Sequence, residues 1–481
     1  AVTPADVGIV ARKYLRTPAV TGSLVPSADR DGTTPAPPSS GVVDDFSKRP
    51  PVGRTVEDYW IRNALAKPSH LPSRIDPIAF RLRNGMQVRI EALHSNPTVF
   101  VNGTVESSPA FDAPGKTGEG AMLSTLLGYG GAKYNFDAGR KVADDLGATI
   151  DLGETFDAHG RAQDLPALLD VVADALKHPA LASSDIDVVR RQTLEAVKRR
   201  DFDPDARADR DFDELLYGPA DPTLREPDAA SIAAITQADL RAYARAYLRP
   251  DLTTLSVTGD VDPIAVRTTL ERAFGGWSSA GPTPSVAPPK SPPAHPARRD
   301  VVTSGATLSA RLGVPVPTRA NRSFAALALI DELFGAGGSW DTRLMEALRV
   351  RAKLAFAASS SFDVDRYRGV WNVRIAAAPA EMPLAVAAVR TELARLREDP
   401  AGSRELDRAK IKAIASQEVS EESTAVVAAR VQEIGLENLP LDYDTSIAKR
   451  YASIESADVL RAAQAYVHPD ALIEIYEGPH L

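Results

Sequence analysis

The sequence predicts an α+β protein built from two homologous domains of about 200 residues, each a mainly antiparallel sheet with helices packed on one face. Three observations carry this. A helix-then-strand segment occurs three times. Further segment pairs repeat in the same order at nearly constant separation. Strand-like alternating runs are interleaved with helical apolar stripes.

The threefold segment is "ADVGIVARKYLRT" at Ala5–Thr17, "ADLRAYARAYLRP" at Ala238–Pro250 and "ADVLRAAQAYVHP" at Ala457–Pro469, with starts 233 and 219 residues apart. The second and third copies run into apolar strands, "TTLSVTG" and "ALIEIYEG". "LGYGGAKYNF" (Leu127–Phe136) is answered by "FGAGGSWDTR" (Phe334–Arg343), and "LPALLDVVADALKHP" by "MPLAVAAVRTELARLREDP". "DIDVVRRQTLEAV" (Asp185–Val197) is answered by "ELDRAKIKAIASQ" (Glu405–Gln417). Alanine-rich helices repeat by chance, but chance does not preserve their order.

Taken along the chain, residues 1–27 read as the C-terminal tail of a preceding homologous domain whose body lies elsewhere, and 28–74 as a Pro-rich linker and lead-in. Residues 75–277 form the first domain, 278–298 a second Pro-rich linker and 299–481 the second domain. Proline removes donors and stiffens the chain, so "SSAGPTPSVAPPKSPPAHPAR" is expected to be an exposed, semi-rigid connector. "FRLRNGMQVRIEAL" carries Asn84-Gly85, a hairpin signal between two alternating runs. "ATIDLG", "LTTLSVTG" and "GVWNVRIAA" are strand-like. Leu165, Leu168, Leu169, Val172 and Leu176 make one helical stripe, and Val386, Val389, Leu393 and Leu396 another.

Composition narrows the chemistry. The net charge of −8 argues against nucleic acid as a partner, since phosphate binding rests on clustered cations. The basic run Arg190, Arg191, Lys198, Arg199, Arg200 has helical spacing among acids and reads as a solvated face. No uninterrupted apolar run approaches the length of a membrane span. With no cysteine, disulfides, thiolate metal sites and cysteine nucleophiles are excluded. The seven histidines include no pair at three-to-five-residue spacing, so no local His/Glu metal cluster exists. His178 before Pro179 and His159 beside Gly160 read as structural. No G-x-S-x-G or P-loop occurs, and "GYGG" and "GAGG" follow helices where nucleotide loops would precede them.

Several motifs together carry a resemblance. "LRNGMQV" looks like L-x-N-G-x-x-V, and "GAMLSTLLGYGGAKY" like a G-x-H-x-x-E-H-x-x-x-x-G helix with its ligands replaced. "GPADPTLREPDAASIAAITQADLRAYARAYLRPDLTTLSVTGDVD" resembles a domain-closing segment, and "LFGAGGSWDTRLMEALRVRAKLAFAASSSF" a glycine-rich turn followed by S-x-R-L, a helix and G-L-A-Y. These resemble the insulinase/pitrilysin family of zinc metallopeptidases, which includes the mitochondrial processing peptidases. The resemblance covers nearly everything from Phe80 onward, together with Ala5–Pro26.

The resemblance implies a peptidase of two halves closing like a clamshell on an unfolded peptide, only one of which needs the metal. The two metal histidines fall on Ala121 and Thr125, the catalytic glutamate on Ser124 and the downstream glutamate ligand on Glu195, which alone is kept. No intact catalytic set is therefore expected in this chain, and no zinc; zinc would sit in a homologous partner half. Glu195 also reads as a surface carboxylate beside Lys198 and Arg199. The Arg/Tyr pair that supports the substrate carbonyl in active members falls on Arg349 and Phe356, so the hydroxyl is lost. With the turn glycines Gly335, Gly337 and Gly338, expected to form a mobile loop, these are the candidate substrate-contacting residues.

The expectation is a non-catalytic, substrate-enclosing half of a zinc metalloendopeptidase, inactive alone, whose partners are a zinc-bearing homologous half and a peptide. The alternative is a structural or interaction protein of the same fold. The missing leader, absent cysteine and Pro-rich linkers point to a periplasmic or secreted bacterial protein.

Overall fold

A computed structural model of the chain describes residues 2–15, 75–285, 287–304 and 306–480. The expected linker at 28–74 lies outside the described residues, and only 2–15 of the expected N-terminal tail are described.

Residues 2–15 belong to a unit of their own. In it, helix α1 (Pro4–Tyr14) opens on a capping box. The Thr3 side chain accepts from the Asp6 N–H while the Asp6 carboxylate accepts from the Thr3 N–H, satisfying donors the helix cannot.

The larger unit contains two sheets. The first is made of β1 (Ile78–Arg81), β2 (Gln87–Ala92), β3 (Thr98–Val105), β4 (Thr149–Asp151), β5 (Thr155–Arg161) and β6 (Thr253–Gly259), in the order β1-β2-β6-β3-β5-β4. The second contains β7 (Ala297–Val302), β8 (Leu308–Val316), β9 (Ala357–Val364), β10 (Gly369–Ala377) and β11 (Ile473–Gly478), in the order β7-β11-β8-β10-β9. Among the strand pairs of the described residues, only β2/β6 and β7/β11 are parallel. Strand for strand, β2-β6-β3-β5-β4 and β7-β11-β8-β10-β9 have the same connectivity; β1 is the extra strand. The β1–β2 turn is the hairpin read from Asn84-Gly85. Gly85 takes φ +94°, and the Asn84 amide donates to the Phe274 and Trp277 carbonyls.

The helices follow the same repeat. In the first half they are α2 (Glu119–Leu127), α3 (Phe136–Leu146), α4 (Leu165–Lys177), α5 (Ser183–Asp201), α6 (Pro204–Tyr217), α7 (Ala229–Ala234) and α8 (Gln237–Tyr247), then α9 (Pro263–Phe274). In the second half they are α10 (Phe324–Phe334), α11 (Arg343–Met345) running into a π-turn at Glu346–Arg351, α12 (Met382–Glu398), α13 (Ser403–Ser420), α14 (Thr424–Leu436), α15 (Tyr443–Ser453) and α16 (Ser456–Tyr466).

One face of each sheet carries the core, because alternate strand residues are apolar and meet the helical stripes. Val88, Ile90, Val99, Val101, Leu255 and Val257 pack with Leu168, Leu169 and Val172 of α4. Leu312, Val314, Trp371 and Val373 pack with Val389, Leu393 and Leu396 of α12. Residues 278–285 and 287–296 have neither helix nor strand.

The opposite faces are covered by exchange. Helix α6 of the first half packs Ala208, Phe212 and Leu216 on Val301, Val370, Ile473 and Ile475 of the second sheet. Helix α14 of the second half lies on β2, β3 and β6 of the first sheet, where the Gln432 amide donates to the Thr254 carbonyl at 3.1 Å. The β9–β10 turn reaches back as well. Arg368 bonds Asp221 at 2.6 Å and Thr223 at 2.8 Å and stacks over Tyr217, while Arg366 pairs with Glu106.

Candidate functional site

Helix α6 leaves part of the second sheet uncovered. There Ser309 and Arg311 of β8, Arg374 and Ala376 of β10, and Ala357 and Ser359 of β9 floor a cavity of about 790 Å³. Its walls are the turn residues Gly337, Gly338 and Trp340, the π-turn residue Arg349, Phe356 ahead of β9, and Asp205 and Asp209 of α6. The short side chains of Ser309, Ala357, Ser359 and Ala376 leave this room; larger ones there would fill it.

One end of the cavity is aromatic. Phe356 is 60% and Trp340 49% exposed, far above what core aromatics show. Arg349 lies between them. Its guanidinium sits 5.3 Å from the Trp340 ring centroid and donates to the Ala355 carbonyl at 3.3 Å and to the Phe356 carbonyl. Arg349 thus braces the wall that carries both rings. Gly337 and Gly338 adopt φ +60° and +68°, and the Gly338 N–H donates to the Gly335 carbonyl at 3.0 Å, closing the turn.

The other end is acidic. Burial, a hydrogen bond with Asp205 and the charges of Asp205, Asp203 and Asp209 push the Glu477 carboxyl up to about 7. Between the two ends, Arg311 pairs with Asp209 at 2.7 Å and stacks on Phe212 at 3.7 Å, while Arg374 stands 3.9 Å from Asp209.

Four of the five residues singled out as substrate-contacting, Arg349, Phe356, Gly337 and Gly338, line this cavity together. Gly335 does not. It is packed against β9, where a Cβ would lie 2.9 Å from Ser360 Oγ and its carbonyl accepts from the Ser360 N–H. Trp340, Asp205 and Glu477 were not singled out from the sequence. Trp340 stood inside the quoted turn "FGAGGSWDTR", where an exposed aromatic beside glycines is a usable signal.

The ligand-like positions lie on α2 and α5. Ala121 and Thr125 are exposed, one helical turn apart, and the Thr125 hydroxyl donates to the Ala121 carbonyl at 3.1 Å. Ser124 Oγ accepts from the Glu154 N–H at 3.0 Å, tying the helix to the β4–β5 connection. Glu195 accepts from Lys198 at 2.8 Å on an exposed surface, and that bond holds its carboxyl below the usual range. A zinc ion needs imidazole, thiolate or carboxylate donors converging on one point. These side chains do not fit one, and among the described residues no group of three or more His, Asp or Glu is gathered closely enough for a metal. No helix among the described residues is long and apolar enough to cross a membrane.

Residues 234–412 match the family model described as the peptidase M16 inactive domain. A protein of Mycobacterium tuberculosis named as an uncharacterized zinc protease is 30% identical over 233 residues, 46% of this chain and 51% of that protein. One from Streptomyces coelicolor, also named a zinc protease, is 26% identical over 258 residues, 51% of this chain and 54% of that protein. The chain thus spans about half the length of the curated relatives it matches.

Among solved structures, a peptidase M16 inactive domain from Pseudomonas fluorescens superposes with a TM-score of 0.75 at 19% identity, covering 84% of this chain and 98% of that one. The periplasmic protease PqqL of Escherichia coli gives 0.70 at 14% identity, covering 100% of this chain and 51% of that one. At such identities these likenesses establish the fold. Together, the matches give residues 234–412 the likeness of an M16 inactive domain and the chain the fold of M16 peptidase halves, with Ala121, Ser124 and Thr125 where an H-x-x-E-H motif would carry its ligands.

Proposed function

We propose that the chain is the substrate-enclosing half of an M16-type metalloendopeptidase whose zinc and water-activating glutamate belong to a homologous half. The observation that carries this reading is the open cavity on the second sheet. It is walled by Arg349, Phe356, Trp340 and the glycine turn, on a fold whose metal positions hold Ala121, Ser124 and Thr125. The relatives' zinc-protease names and the match to about half of PqqL support a partner half of the same fold. A periplasmic or otherwise exported setting follows the same comparison, since that protein is described as periplasmic.

In this reading, catalysis needs from this chain a wall and a grip. Holding an extended peptide against a fixed surface converts an encounter into a positioned reaction, and burial excludes competing water. Arg349 acts indirectly, because its guanidinium is committed to the Ala355 and Phe356 carbonyls. It shapes the wall and does not replace the oxyanion support that a tyrosine at Phe356 would supply.

The test is reconstitution. This chain, a zinc-loaded homologous half and an unfolded peptide should together give hydrolysis that neither half gives alone. Hydrolysis by the zinc half alone, unchanged on adding this chain, would leave the purely architectural alternative.

A further inference from the structure

The cavity is not chemically uniform, and its asymmetry has a direction. It crosses β11, β8, β10 and β9, the order in which those strands pair. Three strand spacings make that crossing about 14 Å. The β11 end carries Asp205 and Glu477; the β9 end carries Trp340 and Phe356.

Neither Asp205 nor Glu477 forms an ion pair among the described residues; the acid beside them, Asp209, is answered by Arg311 and Arg374. Two adjoining carboxyls without a cation repel once both ionise, and an arriving ammonium or guanidinium removes that cost. At the far end, the Arg349 guanidinium is occupied by two backbone carbonyls. What it offers to a ligand is the pair of exposed rings it braces, and aromatic rings pair best in offset or edge-on contacts.

An extended chain advances about 3.4 Å per residue, so four residues span about 14 Å. Side chains an even number of residues apart point to the same side. We propose that this cavity is a recognition site for an extended peptide that presents an aromatic side chain to Trp340 and Phe356 and, four residues away, a lysine or arginine to Asp205 and Glu477. The proposal rests on the reading of this chain as a peptide-enclosing half, and it names the class of peptide that half selects.

Fluorescein-labelled peptides titrated against the whole chain, without any zinc half, test it by anisotropy. Peptides with Phe and Lys four apart should bind about tenfold tighter than those with Phe and Lys three apart, or Phe and Glu four apart. The preference should grow between pH 6 and pH 8, as Glu477 beside Asp205 ionises. Trp340→Ala, Phe356→Ala and the pair Asp205→Asn with Glu477→Gln should each remove it. Trp340, Phe356 and Asp205 are exposed, so those variants should melt as the parent does. Peptides that bind without regard to spacing or charge overturn this proposal alone. Absence of any peptide binding overturns the enclosing role as well.

Discussion

Phe212 and Gln432 occupy the same position in two exchanged helices: Phe212 of α6 is fully buried over Gly313 of the second sheet, and Gln432 of α14 is buried against Thr254 of the first. A Cβ at Gly313 would lie 2.4 Å from the Phe212 ring, so that glycine exists to admit the ring. On the other side, a Cβ at Gly435 would lie 2.5 Å from the Arg89 guanidinium. Each half supplies a helix to the other's sheet, which locks the two together.

The first prediction concerns this lock. Phe212→Ala should lower unfolding stability by about 3–5 kcal/mol, the usual cost of emptying a well-packed aromatic site. Gly313→Ala should also destabilise, because the Phe212 ring must shift. Chemical denaturation of the purified chain measures both. A change within a few tenths of a kcal/mol for Phe212→Ala would mean that α6 does not anchor the second sheet.

Arg368 joins the halves by charge. It bonds Asp221, whose side chain is 2% exposed, and stacks on Tyr217. Arg368→Ala strands that carboxylate and should cost about 3 kcal/mol or more. Removing Asp221 in the same chain should cost less than the sum of the two single changes. A double-mutant cycle reads this coupling, and strict additivity would refute it.

A buried carboxylate organises the second core. Asp331 Oδ1 accepts from the Ser360 hydroxyl and from Trp371 Nε1, and burial raises its pKa against those bonds. Trp371→Phe removes one donor while keeping most of the ring. It should cost about 1–3 kcal/mol through the unsatisfied carboxylate and lost volume. Asp331→Asn in that background should recover part of the loss, as followed by thermal melting.

Stability should fall as pH rises from about 4.5 to about 7. Burial pushes Glu91 and Glu437 up to about 7 from an ordinary 4.5. In that window the folded chain holds protons that the unfolded chain has released, so rising pH favours unfolding. Each group contributes about 1.4 kcal/mol per pH unit across the window, and nothing further above it. Glu91→Gln with Glu437→Gln should flatten the profile of unfolding free energy against pH. An unchanged slope would contradict the shifts.

The helix that carries the ligand-like positions can be probed by introducing donors. Ala121 and Thr125 are exposed and a turn apart, the spacing at which two imidazoles share an ion. Ala121→His with Thr125→His should bind zinc that the parent does not, read by equilibrium dialysis and metal analysis. Equal zinc uptake by parent and variant would place the parent's metal elsewhere.

Much of this was legible before any coordinates. The hairpin at Asn84-Gly85 follows from residues that only a tight turn favours, and β4, β6, β10 and β11 from alternating or continuous apolar runs. The exchange of α6 and α14 was not legible. The stripe Ala208, Phe212, Leu216 says that α6 must bury one face, but nothing local says which sheet receives it. Nor could the pairing of Asp205 with Glu477 be read, since they lie on α6 and β11 and meet only because α6 crosses to the second sheet.

By itself, then, the sequence determined the repeat, the type and order of most elements, and the presence of Ala121, Ser124 and Thr125, without an imidazole or carboxylate, at the ligand-like positions. All are written in local periodicity and residue identity. Tertiary structure alone decided that Trp340, Phe356, Asp205 and Glu477 face one cavity, and that Gly335 stays out of it. Side-chain chemistry is encoded residue by residue, whereas convergence depends on how distant apolar faces find each other, and burial is indifferent to separation along the chain.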